Sequence, residues 1–312
     1  PVIARQIGRF SRIPGKTSLP GARRRYNCPE DGSIMIYLET KNSVATLLLL
    51  AAALGCAVAV AHERKRGSIG YIDRTGQLLV TSKVLHEAGS FSGGFARVRL
   101  HENKLYRYGY LDRRGRMAIA ARFDWARNFS EGMAWVESEE GRGYIDGRGK
   151  MVIKGEYKDG GDFSGGLAAV RFERGFGYID AKGEVVIPGK FSSAGKFSEG
   201  LASVGSGGKL GYIDRAGKLV IAPRFEKAYE FHQERARVVL EGRLSYIDAT
   251  GKVVIGPLKK VARAFDFRDG LARIRIGTRW GFIDRDGGKV VPPRDFAAYD
   301  FSEGVASVQD EK

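Results

Sequence analysis

The sequence predicts an all-β protein of seven tandem units of about 34 residues, each a three-stranded antiparallel meander, joined into a closed propeller-like toroid; an open twisted β-solenoid array is the alternative. Three observations carry this. Gly-aromatic-Ile-Asp or a near variant recurs with its aromatic at Tyr71, Tyr110, Tyr144, Tyr178, Tyr212, Tyr246 and Phe282, in steps of 39, 34, 34, 34, 34 and 36. A second signature, Phe-Ser-Glu-Gly or a relative, begins at Phe91, Phe129, Phe163, Phe197, Phe231, Phe267 and Phe301 in the same register. Glycine is abundant, 43 of 312 residues, without the third-position period of collagen. Self-similarity at such a period marks a repeat architecture.

Each element of the unit has a local reason. In the stretch 157–188, Leu167-Ala168-Ala169-Val170-Arg171-Phe172 has strand composition and is bounded by glycine. Gly177-Tyr178-Ile179-Asp180 reads as a second strand and Glu184-Val185-Val186-Ile187 as a third. Asp-x-x-Gly lies between them in all seven copies: Asp73, Asp112, Asp146, Asp180, Asp214, Asp248 and Asp284. A short carboxylate there accepts from the amides of its own turn, and glycine three residues on supplies the positive φ that closes a bulged hairpin. The remaining stretch has a bulky residue six positions before the signature Phe and a small one midway, as in Phe191, Ala194 and Phe197. That spacing predicts a single helical or 3₁₀ turn under the sheet.

One unit cannot stand alone. Five or six buried apolar side chains contribute about 1.5–3 kcal/mol each, while ordering each residue costs about 1–2 kcal/mol of backbone entropy. Neighbours must therefore cover each other's faces. The array opens with a hairpin that has no Leu-Ala-x-Val strand before it and ends with such a strand, Val305-Ala306-Ser307-Val308. Pairing the last strand with the first hairpin would close the ring and remove exposed edges.

The N-terminal part is different in kind. Residues 1–43 read as a disordered basic tail or an over-extended start. Residues 44–61 are an uncharged apolar run, read as a signal peptide cut after Ala59-Val60-Ala61 or as a retained membrane anchor, with a buried segment as the third reading. Arg64, Lys65 and Arg66 just beyond resist translocation. Residues 67–312 form the seven-repeat β domain.

The net charge is +16, and the residues after position 61 carry 44 basic against 33 acidic groups, a net of +11. Two cysteines, Cys28 and Cys56, exclude a disulfide framework and any cysteine-rich zinc module. The four histidines, His62, His86, His101 and His232, do not cluster at metal-ligand spacing, and neither a Gly-x-Ser-x-Gly elbow nor a phosphate loop is present. No cofactor is expected. The repeated aspartates read as turn formers, since an acid-base pair needs unique placement, and the signature glutamates Glu131, Glu199 and Glu303 as solvated turn residues.

In an array, function sits on what varies between copies. The candidate binding surface is therefore Lys104, Tyr106, Arg107 and Tyr108 in a unit longer than its neighbours, Trp125 and Trp135 in the second repeat, and Arg273, Arg275, Arg279 and Trp280 across a strand and its turn. Basic groups interleaved with aromatics suit carbohydrate, phosphate or nucleic-acid surfaces.

The unit Gly-Tyr-Ile-Asp-x-x-Gly-Lys-x-Val-Ile followed by Phe-Ser-Glu-Gly-Leu-Ala resembles the bacterial WG repeat, also called the KWG repeat, over residues 67–308. The pair that names the family occurs once, as Trp280-Gly281. The resemblance implies an interaction module rather than an enzyme, often in envelope proteins. The expectation is a non-enzymatic binding or scaffold protein of the bacterial periplasm or cell envelope, presenting a basic face to a protein or an anionic envelope polymer. A propeller glycosidase with central carboxylates is one alternative, and a cytoplasmic nucleic-acid-binding repeat protein is another. Membrane contact is expected only through residues 44–61.

Overall fold

The computed structural model describes residues 34–38, 58–62, 69–73, 76–82, 85–102 and 104–310. The expectations for residues 1–33 and 39–57 lie outside these. All described regular structure is strand. It forms eight successive sheets, each paired within itself. Sheet 1 holds Ile34–Leu38, Val58–His62, Ile69–Ile72 and Leu78–Ser82. Sheets 2, 3 and 4 run over residues 85–123, 125–154 and 159–191, and sheets 5, 6 and 7 over 202–225, 227–255 and 261–294. Sheet 8 is a two-stranded pair, Phe296–Ala298 with Val308–Asp310.

The full sheets have four strands, not three. The stretch expected to be a helical turn is the first strand of each sheet, from Leu85–Ser92 in sheet 2 to Val261–Arg268 in sheet 7. In sheet 5 it shrinks to a single bridge, Ala194 to Val204. The six-residue spacing misleads because a bulge shifts the register between Ala88 and Phe91, and between Ala264 and Phe267. The chain therefore departs from strict two-residue alternation.

Sheet 4 shows why the repeated tetrapeptide is what it is. Ala168 pairs with Ile179 and Val170 with Gly177. Tyr178 and Ile179, adjacent in sequence, point to opposite faces, as strand geometry requires. Ile179 joins a core with Trp135, Tyr144 and Phe163 on the side of sheet 3. Tyr178 joins another with Phe197, Val204 and Ile213 on the side of sheet 5. Both are completely buried, because sheet 4 is sandwiched between sheets 3 and 5.

Turn chemistry follows the local prediction. Asp180 Oδ1 accepts from the amides of Lys182 and Glu184 at 2.9 Å each, and Gly183 has a φ of 85°. The same arrangement recurs at Asp112, Asp146, Asp214, Asp248 and Asp284. At Asp73 the Gln77 amide donates.

The ends of the array do not close on each other. Val58–His62 pairs with the first hairpin, Ala59 opposite Tyr71 and Val60 opposite Gly70. That is the seat assigned above to the C-terminal strand. Val308–Asp310 pairs only with Phe296–Ala298 among the described residues, and Val308 is 59% exposed where its counterpart Val170 is fully buried.

Candidate functional site

The repeat-invariant side chains are consumed in joining sheets. Each Tyr of the tetrapeptide donates its hydroxyl to a backbone carbonyl of the next sheet: Tyr71 to Gly89, Tyr110 to Arg127, Tyr144 to Gly161, Tyr178 to Gly195, Tyr212 to Tyr229 and Tyr246 to Phe265. Each also meets the next signature Phe, with ring centroids 4.8–5.3 Å apart. Burial raises these phenols far above their ordinary range.

The second signature forms a parallel set of ties. Ser92, Ser130, Ser164 and Ser198 donate to the carbonyls of Phe129, Phe163, Phe197 and Phe231. The turn after each Ser has two positive φ values, as at Glu131 (49°) and Gly132 (81°), the geometry of a type I′ hairpin. Glu131 is no idle solvated residue: its carboxylate accepts from the amides of Gly165 and Gly166 in the next turn. Glu199 does the same for Gln233 and Glu234.

The sequence-derived candidates fall into separate places. Lys104 occupies the turn of the sheet 2 hairpin, with a φ of 66°. Tyr106 is stacked against His101 at 4.3 Å, and the Arg99 guanidinium lies 4.2 Å from its ring centre. Arg107 pairs with Asp124, and Tyr108 is buried with its edge against the half-exposed Trp125. Trp135 does not join them: it is 1% exposed, in the core between sheets 3 and 4, so it cannot meet a ligand. In sheet 7, Arg273 lies 4.0 Å from the Phe265 ring centre and 4.9 Å from that of Trp280, with Arg275 at 5.5 Å from the latter. Arg273 donates to the Ala298 carbonyl and pairs with Asp300 at 3.1 Å, so it too ties two sheets. Arg279 pairs with Asp295.

Sequence reading missed a row of charged side chains at the joints between sheets, partly buried at Glu230, Asp266 and Asp300. The residue before each signature Phe is Asp162, Lys196, Glu230, Asp266 or Asp300 in five of the copies. Lys196 lies 3.4 Å from Glu230, and Arg237 lies 3.6 Å from Asp266. His232 stands 3.7 Å from Glu230 and 3.9 Å from Asp266. Burial pushes the Asp162 carboxyl up, while Arg127, Lys196 and Arg97 oppose it. These positions vary in type between copies, so no motif marks them; only their constant offset from Phe could have pointed to them. Among the described residues no group of His, Cys, Asp and Glu could hold a metal ion.

A concavity was also missed. A cleft of about 910 Å³ opens between sheets 6 and 7. Its cations are Lys227, Arg237, Arg243, Lys259, Lys260 and Arg263, and no acidic residue lines it. Arg237 is fixed at its floor: it lies 3.8 Å from the Tyr229 ring centre and donates to the Ala264 carbonyl. The unit that builds this cleft is longer by two residues than most others, the aromatic step from Tyr246 to Phe282 being 36, and Leu258, Lys259 and Lys260 lie within it.

Successive antiparallel sheets, tied by invariant side chains and decorated by variable ones, define a tandem β-repeat protein of propeller-like form. The chain belongs to the family of WG-containing repeats, matched at residues 69–104, 108–140, 143–173, 176–209, 211–243, 245–277 and 280–312. Among solved structures it is similar to a eukaryotic initiation factor, at 11% identity over 76% of this chain and 74% of that one, with a TM-score of 0.52. Weaker likenesses are to AztD of Citrobacter koseri (16% identity, 79% and 85% covered, TM-score 0.41) and Hsv2 of Kluyvelomyces marxianus (10%, 80% and 92%, 0.44). At 11% identity, the initiation-factor likeness concerns fold alone. No curated protein matches the sequence.

Proposed function

We propose that this protein is a non-enzymatic binding and scaffold module, exported or envelope-anchored, that presents a basic surface to an anionic polymer or an acidic protein. The observation that carries this reading is the cleft between sheets 6 and 7, lined by six cations and no acid. The invariant residues are committed to inter-sheet contacts, so recognition falls to variable positions of this kind. Five of these cations, all but the Asp266-paired Arg237, have no ion-pair partner among the described residues, and like charges so held favour an anion and steer it in from a distance. The reading needs no closed ring, since two adjacent sheets make the cleft. The family supports it in kind, and envelope location follows the expectation for residues 44–61.

Binding of purified protein to an immobilised acidic polymer, measured at rising salt, tests the reading. Affinity that falls steeply between low and moderate ionic strength supports it. Absent or salt-insensitive binding overturns it. Cell fractionation tests the location separately, and recovery with the cytoplasmic fraction refutes export.

A further inference from the structure

The cleft between sheets 6 and 7 has a narrower chemistry than its net charge. Lys227, Arg243, Lys259, Lys260 and Arg263 are exposed and make no ion pair with any described residue. The nearby acid, Glu226, is already engaged by the Gly242 amide and by Lys209. Arg237 at the floor is held by Asp266 and by the Ala264 carbonyl, and its guanidinium covers the Tyr229 ring at 3.8 Å and lies 5.9 Å from the centre of Phe265. A guanidinium of the protein thus already faces each aromatic ring that could stack a base or a sugar, Arg237 on Tyr229 and Arg273, 4.0 Å from the ring centre, on Phe265, leaving charge as the means of recognition.

We propose that this cleft seats a run of closely spaced phosphate groups, recognised through their oxygens alone; this rests on the reading above and names its ligand class. Two free guanidinium forks, Arg243 and Arg263, offer paired donors to tetrahedral oxyanions, and three lysines supply point charges between them. A volume of about 910 Å³ holds several such groups. The extra length of the sixth unit brings Lys259 and Lys260 to the rim, which no other unit duplicates.

The test compares wild type, K259A/K260A/R263A, and K182A/K218A/K289A, which removes three exposed cations elsewhere. The probes are a linear inorganic polyphosphate, a phosphodiester polysaccharide, single-stranded DNA and polyglutamate. Wild type should bind both non-nucleic phosphate chains more tightly than polyglutamate. The cleft variant should lose roughly thirtyfold in affinity, and the control triple only a fewfold. Polyphosphate alone bound points to a free phosphate chain, and both bound to the shared phosphate chemistry; either supports the assignment. Equal losses in the two triples overturn the cleft as the seat while leaving the anionic-partner reading intact. Tighter binding of polyglutamate than of phosphate overturns the ligand class, and preference for DNA overturns recognition by phosphate alone. No binding of any polyanion by wild type overturns both readings.

Discussion

The Tyr178 hydroxyl donates to the carbonyl oxygen of Gly195 across 2.8 Å, from sheet 4 into the entry to sheet 5. It is one of six equivalent bonds that lock each sheet to the next. Replacing Tyr178 by Phe leaves that carbonyl without its donor and should lower stability by about 1–2 kcal/mol. Tyr178→Ala also opens a cavity and should cost about 3–5 kcal/mol. Urea unfolding measures both, and a Phe variant as stable as wild type refutes the lock. Phe282, which keeps only the ring contact with Phe301, shows that the array tolerates one missing hydroxyl near its end.

Asp180 is a local device, and its effect should be small and specific. Asp180→Ala removes the oxygen that accepts from two backbone amides and should cost about 1 kcal/mol, whereas Asp180→Asn keeps an oxygen in place and should cost less. A loss of several kcal/mol on Asp180→Ala would mean that the residue does more than form its turn.

The two tryptophans of the second unit should behave oppositely. Trp135→Ala empties a fully packed position and should cost about 3–5 kcal/mol. Trp125→Ala, at a position 45% exposed, should stay within about 0.5–1 kcal/mol. Thermal melts of the pair decide this, and equal effects would contradict the burial difference.

His232 replaces the signature Ser and sits between Glu230 and Asp266 at the joint of sheets 6 and 7. Its pKa is raised above the ordinary 6.5 chiefly by the Glu230 carboxylate 3.7 Å away, against burial and with help from Asp266. The charged imidazole therefore stabilises the fold fully below pH 6.5, and that contribution disappears as pH rises through the folded-state value. Burial would raise Glu230, but the nearby His232 and Lys196 outweigh it and hold the carboxyl below 4.5. Its contribution is present above pH 4.5 and is lost as pH falls through its folded value. From this pair, melting temperature should be highest between about pH 4.5 and 6.5 and decline above. His232→Ser should flatten the alkaline side; an unchanged profile would remove His232 as its cause.

Removal of residues 305–312 should lower the melting temperature by only a few degrees, about 1 kcal/mol or less. The reason is that Val305 and Val308 are 70% and 59% exposed. A collapse of stability on this truncation would show that the C-terminal strand closes a ring in solution.

Much of this fold was legible because the repeat prints its local chemistry seven times. Asp180 and Gly183 announce their turn, since both bonds and the positive φ lie within five residues. The strand Leu167–Phe172 announces itself by composition and flanking glycines. The first strand of each sheet was not legible: its bulge breaks the alternation, and a spacing of six mimics a helical turn. Glu131 looked like surface because its amide partners lie 34 and 35 residues away. Trp135 looked like an anomaly fit for a ligand, yet it fills space over Gly160 of the neighbouring sheet. Asp162, Glu230 and Asp266 could not be grouped, because residues that change from copy to copy leave no pattern.

Sequence by itself determined the module, its period and its hairpins, since these depend on backbone preferences and neighbours a few bonds apart. Tertiary structure alone decided which strand occupies the seat beside Gly70, which charges face one another, and that Lys259 and Lys260 of the lengthened unit line one cleft with Lys227 and Arg243. Those outcomes turn on the distance between sheets, and that distance is set by how tyrosine, phenylalanine and glycine pack across it rather than by any one segment's preference.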